Sequence, residues 1–153
     1  MIEDFLFKNK HKSTTTGSLF HSIMAEIHYG FQAEKVLDDF YLRGLINNEE
    51  KKSFSASINR IVNDPLLHDL FSLNVEVLNE REVVLNDKRI LKPDRVVFHN
   101  SGLISIIDYK TGEEINKHKI QLKEYASSME ELGLKVNNLY LVYTLSTHKV
   151  VKI

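Results

Sequence analysis

An α/β fold, a central mixed sheet flanked by helices with a helical segment ahead of it, is predicted by two features of this sequence. Between about residues 14 and 71, apolar residues recur at helical spacing between capping and breaking signals. From about 73 to 153 the pattern changes to short apolar runs interrupted by one long helical stretch. No internal repeat, low-complexity tract or Pro/Gly/Ser-rich linker separates the two parts, so residues 1–153 read as a single domain.

The elements follow in order. Thr14, Thr15 or Thr16 can cap a first helix through about Tyr29, with Leu19, Phe20, Ile23, Met24 and Ile27 on one face and His21, Met24 and His28 on an adjacent stripe. A second helix runs to about Arg43 and stops at Gly44, where positive φ costs nothing. Asn47 with Glu50 three residues on forms a capping box for a third helix, to about Val62. Asp64-Pro65 offers a cap and a first-turn proline for a short fourth helix. Val75 to Leu85 then gives one or two strands and Asn86-Asp87-Lys88 a turn. Arg89 to Phe98 is the next strand and Leu103 to Tyr109 the central one. The stretch from Ile115 to Leu132 reads as a helix ended by Gly133, and strands at Asn138 to Tyr143 and Lys149 to Ile153 close the sheet.

Composition limits the function classes. With 42% hydrophobic and 27% charged residues the chain can bury a real core. The absence of cysteine excludes disulfides, a Cys-based zinc site and an iron–sulfur cluster. No apolar run approaches membrane-spanning length, no signal peptide is recognisable and no GxxxxGK[ST] loop is present. A soluble, cytosolic protein without a membrane partner or a nucleotide motor of its own is expected. Twenty basic and 21 acidic residues leave a net charge of −1, so any intrinsic hold on a polyanion is weak. The basic residues cluster locally, at Lys8, Lys10, His11 and Lys12, as either a backbone-contacting patch or a solvated arm.

The chemistry concentrates in Pro93-Asp94-Arg95-Val96-Val97 and Ile106-Ile107-Asp108-Tyr109-Lys110-Thr111-Gly112. The run Leu103-Ile104-Ser105-Ile106-Ile107 reads as a buried strand that ends in a carboxylate and an ammonium separated by one residue. Alternation puts Asp108 and Lys110 on the same side. A turn at Asn100-Ser101-Gly102 folds the segment bearing Asp94 back against this strand. Two acids and a lysine converge, a group suited to binding a divalent metal and activating water against a phosphodiester.

The order Asp, then Asp-x-Lys, across a hairpin resembles the PD-(D/E)XK nuclease superfamily and, within it, the cluster-free RecB/AddA-type nuclease domain of helicase-nucleases. Gly17-Ser18-Leu19-Phe20-His21 is similar to that branch's early glycine and histidine, and Glu80 in Leu78-Asn79-Glu80-Arg81 to the acid of its first core strand. Asp94 and Asp108-Tyr109-Lys110-Thr111-Gly112 match the central motifs, and Gln121-Leu122-Lys123-Glu124-Tyr125 the trailing Gln and Tyr. Strand parity alone puts Glu76, Glu80 and Glu82 on one face, and only the resemblance selects Glu80.

The resemblance implies a restriction-endonuclease-like fold and a metal-dependent deoxyribonuclease, an exonuclease in DNA end processing and recombinational repair. Asp94, Asp108, Lys110 and Glu80 would be catalytic. His21, Asp94, Asp108 and the Tyr109 backbone carbonyl would ligate Mg2+ or Mn2+, and Gln121 and Tyr125 would hold the DNA. Single-stranded DNA and a helicase domain or subunit are the implied partners. A non-catalytic DNA-binding or scaffolding domain with the same fold is the alternative, and an RNA-directed or stand-alone nuclease a third. Tyr125 also has a purely structural reading, packed with Leu122 and Met129. No partner is read from the sequence for His28, His118 or His148.

Overall fold

The computed structural model describes residues 16–153. The Lys8–Lys12 basic cluster and two of the three candidate capping threonines, Thr14 and Thr15, lie outside them. Helices α1 (residues 16–26), α2 (Ala33–Leu42) and α3 (Asn48–Val62) precede the sheet, and α4 (Asn116–Glu131) crosses it. The strands are β1 (Glu76–Asn79), β2 (Val83–Val84), β3 (Ile90–Leu91), β4 (Arg95–Phe98), β5 (Leu103–Lys110), β6 (Lys135–Tyr143) and β7 (Lys149–Lys152). Five form a mixed sheet in the order β1-β4-β5-β6-β7, in which only the β5–β6 pair, bridged by α4, is parallel. Strands β2 and β3 form a separate hairpin.

Helices cover both faces of the sheet. On one side Phe20 and Ile23 of α1 and Ile27 just beyond it pack with Leu37 and Phe40 of α2 and Phe54, Ile58 and Ile61 of α3, over Val97, Ile107, Tyr109, Tyr140 and Val142. On the other, Leu122 and Met129 of α4 sit on Val96, Ile104, Ile106, Leu139 and Leu141. A strand covered on both faces reads as an unbroken apolar run, which is why β5 is conspicuous in the sequence.

Local chemistry sets most boundaries. The Asn47–Glu50 capping box forms, its side chains bonding reciprocally at 2.9 and 2.8 Å. Gly44 ends α2 and Gly102 makes the β4–β5 turn, both at positive φ. Helix α1 stops at residue 26 rather than near Tyr29, and a 3-10 turn at Gly30–Gln32 intervenes before α2. The expected fourth helix is instead a turn followed by a 3-10 helix, His68–Phe71. There the Asp64 carboxylate accepts from the Leu66 N–H (2.9 Å), closing a side-chain turn in place of a helical one. The strand expected over Arg89 to Phe98 is split into β3 and β4 by Lys92-Pro93-Asp94, because proline has no N–H for the ladder. Strand β6 starts at Lys135, earlier than the sequence pattern marks it.

Candidate functional site

The site grows out of strand register. Asn79 of β1 pairs with Arg95 of β4, and Arg95 with Ile107 of β5. Continuing that row by one residue sets Glu80, Asp94 and Asp108 side by side across the end of three neighbouring strands. The Glu80 N–H donates to the Asp94 carbonyl (3.0 Å), which fixes the first step of the row. Like charges directly opposite each other on a sheet are unfavourable, so a row of three acids is not accounted for by sheet stability.

Asp94 sits just before β4, and its side chain takes up a main-chain donor of β5: Asp94 Oδ2 accepts from the Tyr109 N–H at 2.7 Å. This bond holds the carboxylate near the plane of the sheet, so it meets groups from both faces. Burial first, and the neighbouring Asp108 carboxylate second, hold the Asp94 carboxyl well above its ordinary pKa, with the Tyr109 N–H opposing them.

From the helical face comes His21 of α1, whose Nδ1 lies 3.9 Å from Asp94 Oδ1. Burial pushes its pKa down, which favours the neutral imidazole that ligates metals. His21, Glu80 and Asp94 each present a ligand atom within 4.8 Å of the others. Glu80 reaches this group because its backbone turns to φ 50°, an uncommon value for a residue with a side chain. That turn takes Glu80 out of the strand alternation it would share with Glu76 and Glu82, both of which are exposed.

Asp108 stands outside the triad. Alternation along β5 puts it on the α4 face with Ile104 and Ile106, away from the layer that supplies His21. Lys110 Nζ lies 2.7 Å from Asp108 Oδ2, an ion pair that falls short of hydrogen-bond geometry. The same ammonium donates to Gln121 Oε1 (3.1 Å), and Gln121 Nε2 donates to the Tyr125 hydroxyl (3.4 Å). A polar chain thus runs from Asp108 through Lys110 and Gln121 to Tyr125. Gln121 meets the site by orienting the lysine, and Tyr125 is half-buried against the cluster that holds Leu122 and Met129. The N–H and C=O of a paired strand residue point to the same side, so the Tyr109 carbonyl faces the β4 side of β5 as its N–H does. Its ring is buried edge-on to Phe20 and His21.

The triad opens into a cleft of about 810 Å³ lined by Gly17, Ser18, His21, Glu80, Lys92, Asp94 and Thr111, among others. An adjoining hollow carries Lys110, Glu113, Ile115 and His118, and shares His21, Thr111 and Gly112 with the first. Gly17 allows a close approach: a Cβ there would lie 2.9 Å from Thr111 Oγ1, and that side chain would have to shift.

Four contributors escape the sequence reading. Arg95 is fully buried and donates to the carbonyls of Ile27 (2.8 Å), His28 (2.6 Å) and Leu70 (2.8 Å), with its guanidinium over the Phe71 ring. Asn79 Nδ2 donates to the carbonyls of Ala25 and Ile27. Together they satisfy the carbonyls at the end of α1, which explains where that helix stops. Lys92 pairs with Glu80 at 3.2 Å, and Thr111 packs on Gly17. An arginine directly before the apolar pair Val96-Val97 was the available signal for the first, and a lysine beside Pro93-Asp94 for the third. Two other histidines also find partners, His118 with the Tyr143 hydroxyl (3.0 Å) and His148 with Asp64 (2.8 Å).

No helix among the described residues is long and apolar enough to cross a membrane. No protein-family model and no curated protein matches this chain.

Proposed function

We propose that this domain is a cytosolic, metal-dependent DNA nuclease of the RecB/AddA type within the PD-(D/E)XK superfamily, hydrolysing phosphodiester bonds in single-stranded DNA beside a helicase in end processing and recombinational repair. The observation that carries this reading is the row Glu80–Asp94–Asp108 across three strand ends, with His21 beside Asp94 on one face, Lys110 beside Asp108 on the other, and a cleft opening from His21, Glu80 and Asp94.

The donor set fits a small divalent cation. One imidazole nitrogen and two carboxylate oxygens converge within 4.8 Å, and the carboxyl held most tightly among them, Asp94, is the one whose charge is least tolerated without a counter-cation. Mg2+ or Mn2+ bound there by His21, Glu80 and Asp94, with Asp108 and the Tyr109 carbonyl at its edge, would supply Lewis acidity toward a phosphate and a more acidic water. The remaining work belongs to the protein. Asp108 and Gln121 hold the Lys110 ammonium between them, where it can orient a water and stabilise negative charge developing on the phosphate. Burial of Asp94 and Asp108 strengthens those interactions by lowering the local dielectric. A net charge of −1 matches a nuclease to which a motor delivers the strand.

The test is cleavage of linear and circular single-stranded DNA in Mg2+ or Mn2+. Wild type should cleave, and Asp94→Ala, Asp108→Ala and Lys110→Ala should not. Undiminished cleavage by Asp108→Ala, or a wild type inert in both metals, would overturn the reading.

A further inference from the structure

Lys92 is the one lysine or arginine among the described residues whose charged group pairs with a carboxylate of the His21–Glu80–Asp94 group. Its Nζ lies 3.2 Å from Glu80 Oε2, within the cleft that also holds His21 and Asp94. The site therefore carries its own positive charge, at the carboxylate that a divalent cation would need. The lysine is half exposed and Glu80 is a quarter exposed, so the pair is weak and exchangeable. Its backbone is anchored: Pro93 next to it is buried, and Asp94 is tied to both Glu80 and Tyr109. A long flexible stem on a fixed base can change partner without moving the strand.

We propose that Lys92 is an exchangeable counter-ion. It neutralises Glu80 in the metal-free site and, when a divalent cation takes that carboxylate, is displaced onto a backbone phosphate of the bound nucleic-acid strand. This rests on the metal-site reading above and adds an order to it: cation binding and strand binding are coupled through one side chain. The coupling is reciprocal, so the strand, by holding Lys92 away from Glu80, tightens the metal.

The experiment compares the 153-residue protein with its Lys92→Gln and Lys92→Arg variants. Mn2+ affinity is read from the free-ion electron paramagnetic resonance signal. Affinity for a labelled single-stranded oligonucleotide is read against salt concentration, with Ca2+ and with chelator. Lys92→Gln should bind Mn2+ roughly three- to tenfold more tightly, because a positive charge beside the ion has been removed. In Ca2+ the slope of log affinity against log salt should shrink by about 0.7–1, the loss of one phosphate contact, and in chelator it should not change. Lys92→Arg should stay close to wild type in both. Unchanged Mn2+ affinity in Lys92→Gln, or an unchanged salt slope in Ca2+, overturns the exchange while leaving the metal site standing. A wild type that binds no Mn2+ overturns the metal site and the exchange together.

Discussion

Arg95 of β4 and Asn79 of β1 stand opposite each other in the sheet, and the guanidinium donates to Asn79 Oδ1 at 3.3 Å. Both side chains then reach the same helix end, where each donates to the Ile27 carbonyl. The next row of the sheet is Glu80 and Asp94. One pair of residues thus fastens α1, and with it His21, to the strands that carry two acids of the site. Arg95→Met should leave the His28 and Leu70 carbonyls without their donor and the Ile27 carbonyl with Asn79 alone, and cost at least about 2 kcal/mol. Arg95→Lys should recover only part of it, since an ammonium cannot span the same acceptors. Urea unfolding measures both, and a Met variant within 1 kcal/mol of wild type would contradict this role.

The raised pKa of Asp94 makes the metal-free fold pH-sensitive in a definite direction. A folded state that holds its proton above the ordinary carboxylate value binds more protons than the unfolded chain over that interval, so stability falls as pH rises. The decline should begin near 3.8, the unperturbed value, and continue upward through the raised one. Because Asp94 is electrostatically coupled to Asp108 and Glu80, the curve reports the group rather than one residue. In chelator, the wild-type melting temperature should drop over this range relative to Asp94→Asn. Parallel pH curves for the two proteins would rule the effect out.

Gln121 holds Lys110 from the side opposite Asp108, so its loss should act on chemistry. Gln121→Ala should lower the single-turnover cleavage rate roughly 10–100-fold, as removal of an orienting partner does, with little change in affinity for single-stranded DNA. Lys110→Ala should lower it further, again without weakening binding. Tyr125→Phe should stay near wild type, because the hydroxyl contributes only a long bond at 3.4 Å. If Gln121→Ala instead weakened DNA binding at an unchanged rate, the glutamine would be a strand contact.

Gly17 and Thr111 can be tested as a pair. Alanine at 17 gains helix propensity of up to about 1 kcal/mol but sets a methyl 2.9 Å from Thr111 Oγ1. The substitution should therefore be less favourable in the wild-type background than in Thr111→Ala, with a coupling of about 1–2 kcal/mol. Additive stabilities across the four proteins would mean that α1 and the end of β5 are not in contact in solution.

Metal should stabilise by binding only the folded state, by about 2.7 kcal/mol at a hundredfold excess over its dissociation constant. A nitrogen ligand favours manganese over magnesium, so Mn2+ should raise the melting temperature more than Mg2+ in wild type. His21→Ala should narrow that difference. The same difference in both proteins would take His21 out of the ligand set.

The individual elements were largely legible because their signals are local. Asn47 and Glu50 meet within one helical turn, Gly44 and Gly102 supply positive φ where the chain turns, and β5 announces itself because both of its faces are covered. The alternation that pairs Asp108 with Lys110 is likewise a property of a single strand. The break at Lys92-Pro93-Asp94 was not read, although proline signals it, because its consequence is tertiary: the Asp94 side chain accepts from a main-chain N–H of the neighbouring strand. The site itself is a matter of register. Glu80, Asp94 and Asp108 become one row only when β1 pairs with β4 and β4 with β5, and His21 joins them only when Arg95 and Asn79 tie down the end of α1. Periodicity and capping act over a few residues and so are written in sequence. Which strand lies beside which, and which face Asp108 shares with which helix, was decided by burial of two apolar layers on opposite sides of one sheet.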